Sequence, residues 1–540
     1  MASLFSCFLG LCFLLLLLYF SQISRAEESS KSIILEEGTL YIDGWAAIAK
    51  TDEDFICATL DWWPCNKCDY GTCSWGNASL LNLDLSNKVL LNAIRAFTPL
   101  KIRLGGTLQD KITYQMAHYE QPCTPFLRNN TEMFGFTQGC LPLSRWDELN
   151  EFFEKTGAKV TFGLNALNGR TIGPDGSALE DWDSSNAESF LRYTVSRGYS
   201  IHGWELGNEL NGNGIGAAIS ADQYSRDVIA LHKLLQDIYK GKDVIPLILA
   251  PGGIFDAVWF AKFIDKASNS LQVVTHHIYN VGAGNDSNLV QKILDPSHLD
   301  EESNIFRNLQ GILRSYGTSA VAWVGESGGV FNSGHNLVSN SFVSSFWFLD
   351  QLGMSATFDT KTYCRQTLVG GNYGLLNTTT FHPNPDYYGA LLWHRLMGRN
   401  VLSTHFRGTK KLRTYAHCSQ SSDGITLLLI NMHGGTTVNV GLSVRNKAPM
   451  LLQIINDQNP RHGIQREEYH LTAKDGELHS QTVILNGKEL NVDHFGRIPL
   501  LEPIRPNPSD PISIAPLSIV FVHIPTIQVP ACSMFTRDNM

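Results

Sequence analysis

The sequence is short of positive charge. Against 51 Asp and Glu it carries only 42 Lys and Arg, a formal net charge of −9 at pH 7. That argues against a general nucleic-acid binder, and less strongly against a dedicated binder of highly sulfated polyanions. Charged residues make up only 17% and hydrophobic residues 43% of the 540 positions, so the composition of a disordered chain is absent. Beyond residue 26 no apolar run approaches the ~20 residues that a membrane-spanning helix needs; peripheral membrane association is left open. The last stretch, Pro530–Met540, is mostly polar and lacks the apolar tail of a GPI signal. No internal repeat and no later low-complexity tract occurs. Metal-ligand spacing is missing too. Cys65-x-x-Cys68 with Cys73 has no second half-site for zinc. His276 and His277, as neighbours on a strand, point to opposite faces and make a poor chelate. No metal and no cofactor is expected. A Gly-rich phosphate loop is also absent: Asp61-Trp62-Trp63-Pro64 follows the first strand instead, which disfavours a doubly wound nucleotide-binding sheet.

What is present begins with a leader. Leu9–Phe20 is an apolar core and Ser24-Arg25-Ala26 a small-x-small cleavage site, so residues 1–26 read as a signal peptide, though the charged n-region is missing. Its removal takes Cys7 and Cys12 and leaves nine cysteines. In an exported chain these favour disulfides, with at least one thiol left over. Sequons at Asn77, Asn129, Asn285 and Asn377 fit a glycosylated protein that is secreted or delivered to a lysosome or vacuole.

From about residue 53 to 399, short apolar strands alternate with amphipathic helices. The strands are expected at Phe55–Leu60, Leu100–Leu104, Lys159–Leu164, Ile201–Leu206, Pro246–Ala250, Gln272–His276, Ala320–Gly325 and Met354–Asp359. Ser144–Thr156 and Ala221–Lys240 show the helical period between them. Eight such units predict a (β/α)8 TIM barrel. From residue 400 to 540 the period changes to that of strands: Lys411–His417, Gly424–Met432, Thr437–Val444, Leu451–Asn456 and Leu517–Ile524, with Asn486-Gly487 as a hairpin turn. This part reads as an antiparallel β-sandwich domain, to which the segment 27–52, through Thr39–Ile42, is expected to add a strand. Glu502–Pro516, rich in proline, reads as an extended connector or edge.

Two carboxylates stand out against this frame. Glu209, in Trp204-Glu205-Leu206-Gly207-Asn208-Glu209-Leu210, follows the fourth strand; Glu326, in Trp323-Val324-Gly325-Glu326-Ser327, ends the seventh. Residues at the C-terminal ends of barrel strands share one mouth. Retaining glycoside hydrolysis needs one carboxyl as acid/base and another as nucleophile, about 5 Å apart. Glu205 lies inside the strand and reads as structural. The amide of Asn208 is placed to bind a sugar hydroxyl beside the reacting carbon. Tyr279, closing His276-His277-Ile278-Tyr279, is placed to hydrogen-bond the nucleophile and hold it ionised.

These residues resemble the heparanase and β-glucuronidase family 79 of retaining glycosidases. The likeness rests on Gly-Asn-Glu at Glu209, Trp-Val-Gly-Glu at Glu326 and the His-His-x-Tyr strand. It is greatest toward plant heparanase-like proteins, through Cys57-Ala58-Thr59-Leu60-Asp61-Trp62-Trp63-Pro64, Arg103-Leu104-Gly105-Gly106-Thr107-Leu108-Gln109-Asp110 and Tyr363-Cys364-Arg365-Gln366-Thr367. The resemblance implies Glu209 as acid/base and Glu326 as nucleophile. It implies hydroxyl contacts from Asp61, Thr107 and Asn208, and uronate recognition by backbone N–H groups around Asn332 and Ser333, by Tyr373, and near Gly371. Phe331 stands where some relatives have tyrosine. His277 is expected to support Tyr279 or the nucleophile loop. A Cys418–Cys532 disulfide is implied by the family, and Cys123–Cys140 is expected as a second. Asp110–Leu143 lacks an evident basic processing site, so a single-chain enzyme is expected after leader removal. The expected substrate is a β-linked glucuronic acid on a cell-wall glycan such as arabinogalactan, or a small glucuronide. The alternatives are endo-cleavage of a heparan-like polymer, with Lys410-Lys411 as the basic pair to consider, and a catalytically silent glycan binder. Oligomeric state is not legible.

Overall fold

The structure is a computed structural model and describes residues 34–116, 123–212, 216–446 and 465–533. The leader and the expected strand Leu451–Asn456 lie outside the described residues. Eight parallel strands close a barrel: Ile56–Asp61, Lys101–Gly105, Lys159–Leu164, Gly203–Leu206, Leu247–Ile254, Val273–Ile278, Val321–Ser327 and Thr362–Arg365. They are buried on both sides, as parallel strands sheathed by helices must be. Aromatic rings fill the layer between strands and helices, with Phe162 contacting Trp146, Phe190 and Trp204 at centroid separations of 5.1, 5.2 and 5.6 Å. At the N-terminal end Lys101 is buried, 3.1 Å from Asp54 and 3.9 Å from the centroid of the Trp323 ring.

The eighth strand is not where the sequence pattern placed it. Met354–Thr357 ends the helix Phe342–Thr357, and the strand follows at Thr362–Arg365. Every residue of that helix except Thr357 is buried. A helix without a polar face shows no 3.6-residue alternation, so its apolar end is indistinguishable from a buried strand.

Among the described residues the second domain is one mixed sheet of 11 strands. The change of pattern placed at residue 400 falls inside the strand Met397–Arg407. The N-terminal strand Ile34–Asp43 does join this sheet, antiparallel to Met397–Arg407 but parallel to Thr436–Arg445, so the sheet is not purely antiparallel. Asn486-Gly487 turns the hairpin between Val483–Leu485 and Lys488–Glu489. Ile425–Asn431 and Ser518–Ile524 are buried on both faces. Leu427, Leu429, Val520 and Val522 pack into the sheet's own core, while Leu428, Ile430, Ile519 and Phe521 join the core of the barrel. The two units therefore share a continuous apolar contact.

Among the described residues four disulfides brace the chain: Cys57–Cys364, Cys68–Cys73, Cys123–Cys140 and Cys418–Cys532. Two are the expected pairs. Cys57–Cys364 joins the first and eighth barrel strands, where those residues are register partners. Cys68 pairs within its own loop, and Cys65 is the leftover thiol among the described residues.

A buried ion pair also docks the domains. Asp350, on the fully covered helix, accepts from Arg413 at 2.7 and 3.3 Å and from Tyr415 at 2.6 Å. Arg413 reaches a second acid, Asp300, whose side chain is 59% exposed. Removing a buried partner strands its counter-charge, whereas an exposed pair is screened. Asp350→Ala is expected to lower unfolding stability by roughly 3 kcal/mol, and Asp300→Ala by less than about 1 kcal/mol. Denaturant titrations of both variants check this, and equal losses would show that Asp350 does not dock the domains.

Candidate active site

The mouth is organised around Arg103, on the second strand. Its Nε donates to Glu205 Oε2 at 2.6 Å, Nη1 to Glu326 Oε2 at 2.8 Å and Nη2 to Asn208 Oδ1 at 2.8 Å. One planar guanidinium thus ties the second, fourth and seventh strands. Glu205 is fully buried and also accepts from Thr275 Oγ1 at 2.9 Å, so it is the structural carboxylate that its place inside the strand implied. The chain then turns sharply. Gly207 and Glu209 have φ of 69° and 55°. The left-handed conformation at a glutamate is held from outside: Glu209 N–H donates to Gly252 O at 2.7 Å, and Asn208 N–H donates to Asp110 Oδ2 at 2.8 Å. Burial pushes the Asp110 carboxyl up to about 7, against the two backbone N–H groups that it accepts from Ala166 and Asn208.

Glu209 and Glu326 face one another. A carboxylate oxygen of each and a ring nitrogen of His277 lie within 4.8 Å of one another, the close spacing of a retaining pair. His277, expected to support Tyr279 or the nucleophile loop, places Nδ1 2.9 Å from Glu209 Oε1, and its charge also acts on Glu326. His276 points the other way and packs edge-on against Phe306. The donors Glu209, His277 and Glu326 could face a cation, but the Arg103 guanidinium already lies on Glu326 and opposes a second positive charge there.

The acids around this centre are driven to different states. Burial raises the Glu326 carboxyl, but the charges of His277 and Arg103 and hydrogen bonds from Tyr279 and Arg103 outweigh it and hold it below its ordinary value. Tyr279 donates its hydroxyl to Glu326 Oε1. Burial, with the Glu326 charge adding to it, holds that hydroxyl protonated far above the usual tyrosine range. Asp61, at the end of the first strand, goes the opposite way from Glu326. Burial first and then the Glu326 charge push its carboxyl well above the ordinary range, against Arg103 and the hydrogen bond from Gln366 Nε2 at 2.9 Å.

The outer wall comes from the loops after the seventh and eighth strands. Asn332 and Ser333 both adopt positive φ, 56° and 66°, and Ser333 O accepts from Asn372 N–H at 2.7 Å, so the two loops are stitched together. Tyr373 lies beneath them, its hydroxyl 3.4 Å from Gln366 Nε2 and its ring edge-on to Trp75. Gly371 (φ 62°) must be glycine here, since a Cβ would sit 2.8 Å from the Tyr373 ring. Thr107 opens the short helix Thr107–Lys111 beside Asp61. Gly106, just before it, would put a Cβ 2.1 Å from Asp61 Oδ1. Phe331 is half-exposed on the rim. Lys411 turns to the barrel, its Nζ donating to Leu294 O at 2.6 Å. Asn77 and Asn285 are exposed, Asn129 and Asn377 half-buried.

The structure thus brings Asp61, Asn208, Glu209, His277, Tyr279, Glu326 and Tyr373 to one mouth, with Thr107, Asn332, Ser333 and Gly371 on the loops that bound it. Sequence reasoning missed the residues that hold these in place. Arg103 and Gln366 stood inside quoted motifs, and a buried strand position occupied by arginine was the available signal. Asp110 gave none, because its partners are backbone groups.

Residues 37–353 match glycosyl hydrolase family 79, N-terminal domain. The chain is 56% identical over 512 residues to heparanase-like protein 3 of Arabidopsis thaliana, covering 93% of this chain and 96% of that one. It is 46% identical over 508 residues to baicalin-beta-D-glucuronidase of Scutellaria baicalensis, covering 91% and 93%. Among solved structures, a 4-O-alpha-L-rhamnosyl-beta-D-glucuronidase from Fusarium oxysporum superposes with a TM-score of 0.61 at 16% identity, over 90% of this chain and 100% of that one, a likeness of fold alone. On the extent of the sequence match, this chain is a glycoside hydrolase and belongs to glycosyl hydrolase family 79.

Proposed function

We propose that the protein is a retaining β-glucuronidase that removes β-linked glucuronic acid from a cell-wall glycan or a small glucuronide. The observation that carries the chemistry is the convergence of Glu209 and Glu326 within 4.8 Å. Glu326, ionised, attacks the anomeric carbon and forms a glycosyl ester as the bond to the leaving oxygen breaks. Glu209 gives that oxygen its proton. Water then enters, Glu209 takes its proton, and the hydroxide oxygen displaces Glu326 from the anomeric carbon; two inversions leave the configuration retained. The ring of His277, 2.9 Å from Glu209 Oε1, fixes the orientation of that carboxyl toward the cleft. Asn208, its oxygen occupied by Arg103, turns its NH2 group to donate to a sugar hydroxyl.

Uronate recognition is supported by the loops. Among the described residues the N–H groups of Asn332, Ser333 and Gly371 make no hydrogen bond within the protein, and Tyr373 offers a hydroxyl. Such neutral donors bind a carboxylate without an arginine. The name of the Scutellaria relative supports the same substrate class. Four disulfides and the two exposed sequons support an oxidising, exported setting, secreted or vacuolar, with glycans on the chain.

Hydrolysis of an aryl β-D-glucuronide but not of the matching β-D-glucoside is the expected result, and equal turnover of both would contradict uronate recognition. Glu209→Gln is expected to cut turnover of a glucuronide with a poor leaving group by about 10²–10⁴-fold, while largely sparing the first step on an activated nitrophenyl glucuronide, whose leaving group needs no proton. A uniform loss on both substrates would remove Glu209 from the acid role. Tyr279→Phe deletes a hydrogen bond that favours the ionised form of Glu326, so its carboxyl titrates higher. The acid limb of the kcat/KM profile is expected to move to higher pH; an unmoved limb would show that Tyr279 does not tune the nucleophile.

A further inference from the structure

The loop after the first barrel strand is built as a clamp. Cys68 and Cys73 are joined, and inside that bond Asp69 and Thr72 exchange both backbone hydrogen bonds at 2.9 Å across the turn Tyr70-Gly71. Tyr70 and Gly71 take φ of 50° and 81°, the left-handed pair of a tight two-residue hairpin. This small hairpin does not stand free. It reaches past the eighth strand, which lies between the first and the seventh, and is fastened to the loop after the seventh strand. Ser333 Oγ donates to Asp69 Oδ2 and accepts from Trp75 Nε1 at 2.9 Å. Asn332 Nδ2 donates to the Tyr70 hydroxyl at 3.0 Å. The Tyr70 ring also lies over Gly284, beyond the sixth strand, so closely that a Cβ there would be 3.0 Å from it. Three barrel loops are thereby locked together above one side of the site.

The locked side is identified by the chemistry of the sugar, and here the argument rests on the glucuronidase reading. The anomeric carbon must face Glu209 and Glu326. The carboxylate at C5 must face Asn332, Ser333 and Tyr373. In a six-membered ring C4 lies next to C5 and opposite the anomeric carbon, so the 4-hydroxyl is directed into the gap between Asp61 and Ser333. The loop that carries the hairpin starts from the end of the first strand at Asp61, and the hairpin lands on Ser333, so the loop spans that gap. An internal residue of a polymer linked through O4 would have to thread through the hairpin.

We propose that this disulfide-closed hairpin makes the enzyme exo-acting, admitting only a terminal glucuronic acid whose 4-hydroxyl is free, with Asp69 and Tyr70 as the specificity-determining residues. They touch the carboxylate-binding loop and exclude the next sugar; they take no part in bond cleavage.

The test compares an aryl β-D-glucuronide with the same compound carrying a sugar on O4, using the full-length protein and the variant Cys68→Ser/Asp69→Ala/Cys73→Ser. The wild type is expected to favour the free 4-hydroxyl by at least about 100-fold in kcat/KM. Opening the hairpin is expected to raise the ratio of substituted to unsubstituted kcat/KM by at least about tenfold, a ratio that any general loss of activity leaves unmoved. Comparable wild-type turnover of both compounds would overturn the proposal, as would a wild-type preference that the variant leaves unchanged. Failure of the wild type to cleave either glucuronide would overturn the glucuronidase reading itself, and the proposal with it.

Discussion

The site depends on one buried cation. Arg103 is almost completely buried and survives inside the barrel only because Glu205 and Glu326 carry the opposite charge and Asn208 offers an oxygen. Burial disfavours its charge, and the two carboxylates more than restore it, so it stays charged. Much else follows. Glu205 is fixed as counter-ion and is thereby unavailable as acid/base. Glu326 is held ionised and aimed. Asn208 is turned by its own oxygen. The space for this arrangement is made by the backbone: a Cβ at Gly105 would lie 3.1 Å from Arg103 Cζ, and one at Gly163 would collide with Gln109. Strand glycines here are room for a polar layer, not weak points in the sheet.

The same cation lets neighbouring acids differ. Glu326 lies in the field of Arg103 and His277 and accepts from Tyr279, so its ionised form is favoured. Asp61 is equally buried but faces the charge of Glu326, and its neutral form is favoured. A neutral carboxyl can donate to a sugar hydroxyl as well as accept from one. Environment, rather than residue type, thus sets the two carboxyls to opposite states.

The legible part of the molecule was the part written in local periodicity. Seven barrel strands, the N-terminal addition to the second sheet, the Asn486-Gly487 turn and the convergence of Glu209 with Glu326 all follow from alternation and strand order. The eighth strand was misplaced because the preceding helix is covered on all sides. The direction of Ile34–Asp43 relative to Thr436–Arg445 was not legible because a period of two is the same in parallel and antiparallel pairing. Cys57–Cys364 escaped notice because its partners are 307 residues apart and meet only when the barrel closes. The hairpin Cys68–Cys73 read as half of an incomplete zinc site. Its significance lies in what it touches, and Ser333 is far away in sequence.

The central claim is that hydrolysis passes through a covalent bond to Glu326. The stereochemistry of the first-formed product tests it most directly. Proton NMR of an aryl β-D-glucuronide during the first minutes of hydrolysis, before mutarotation, should show the β-anomer of glucuronic acid appearing first and the α-anomer growing in later. Appearance of the α-anomer first would mean a single displacement by water, and would contradict the role of Glu326 as nucleophile.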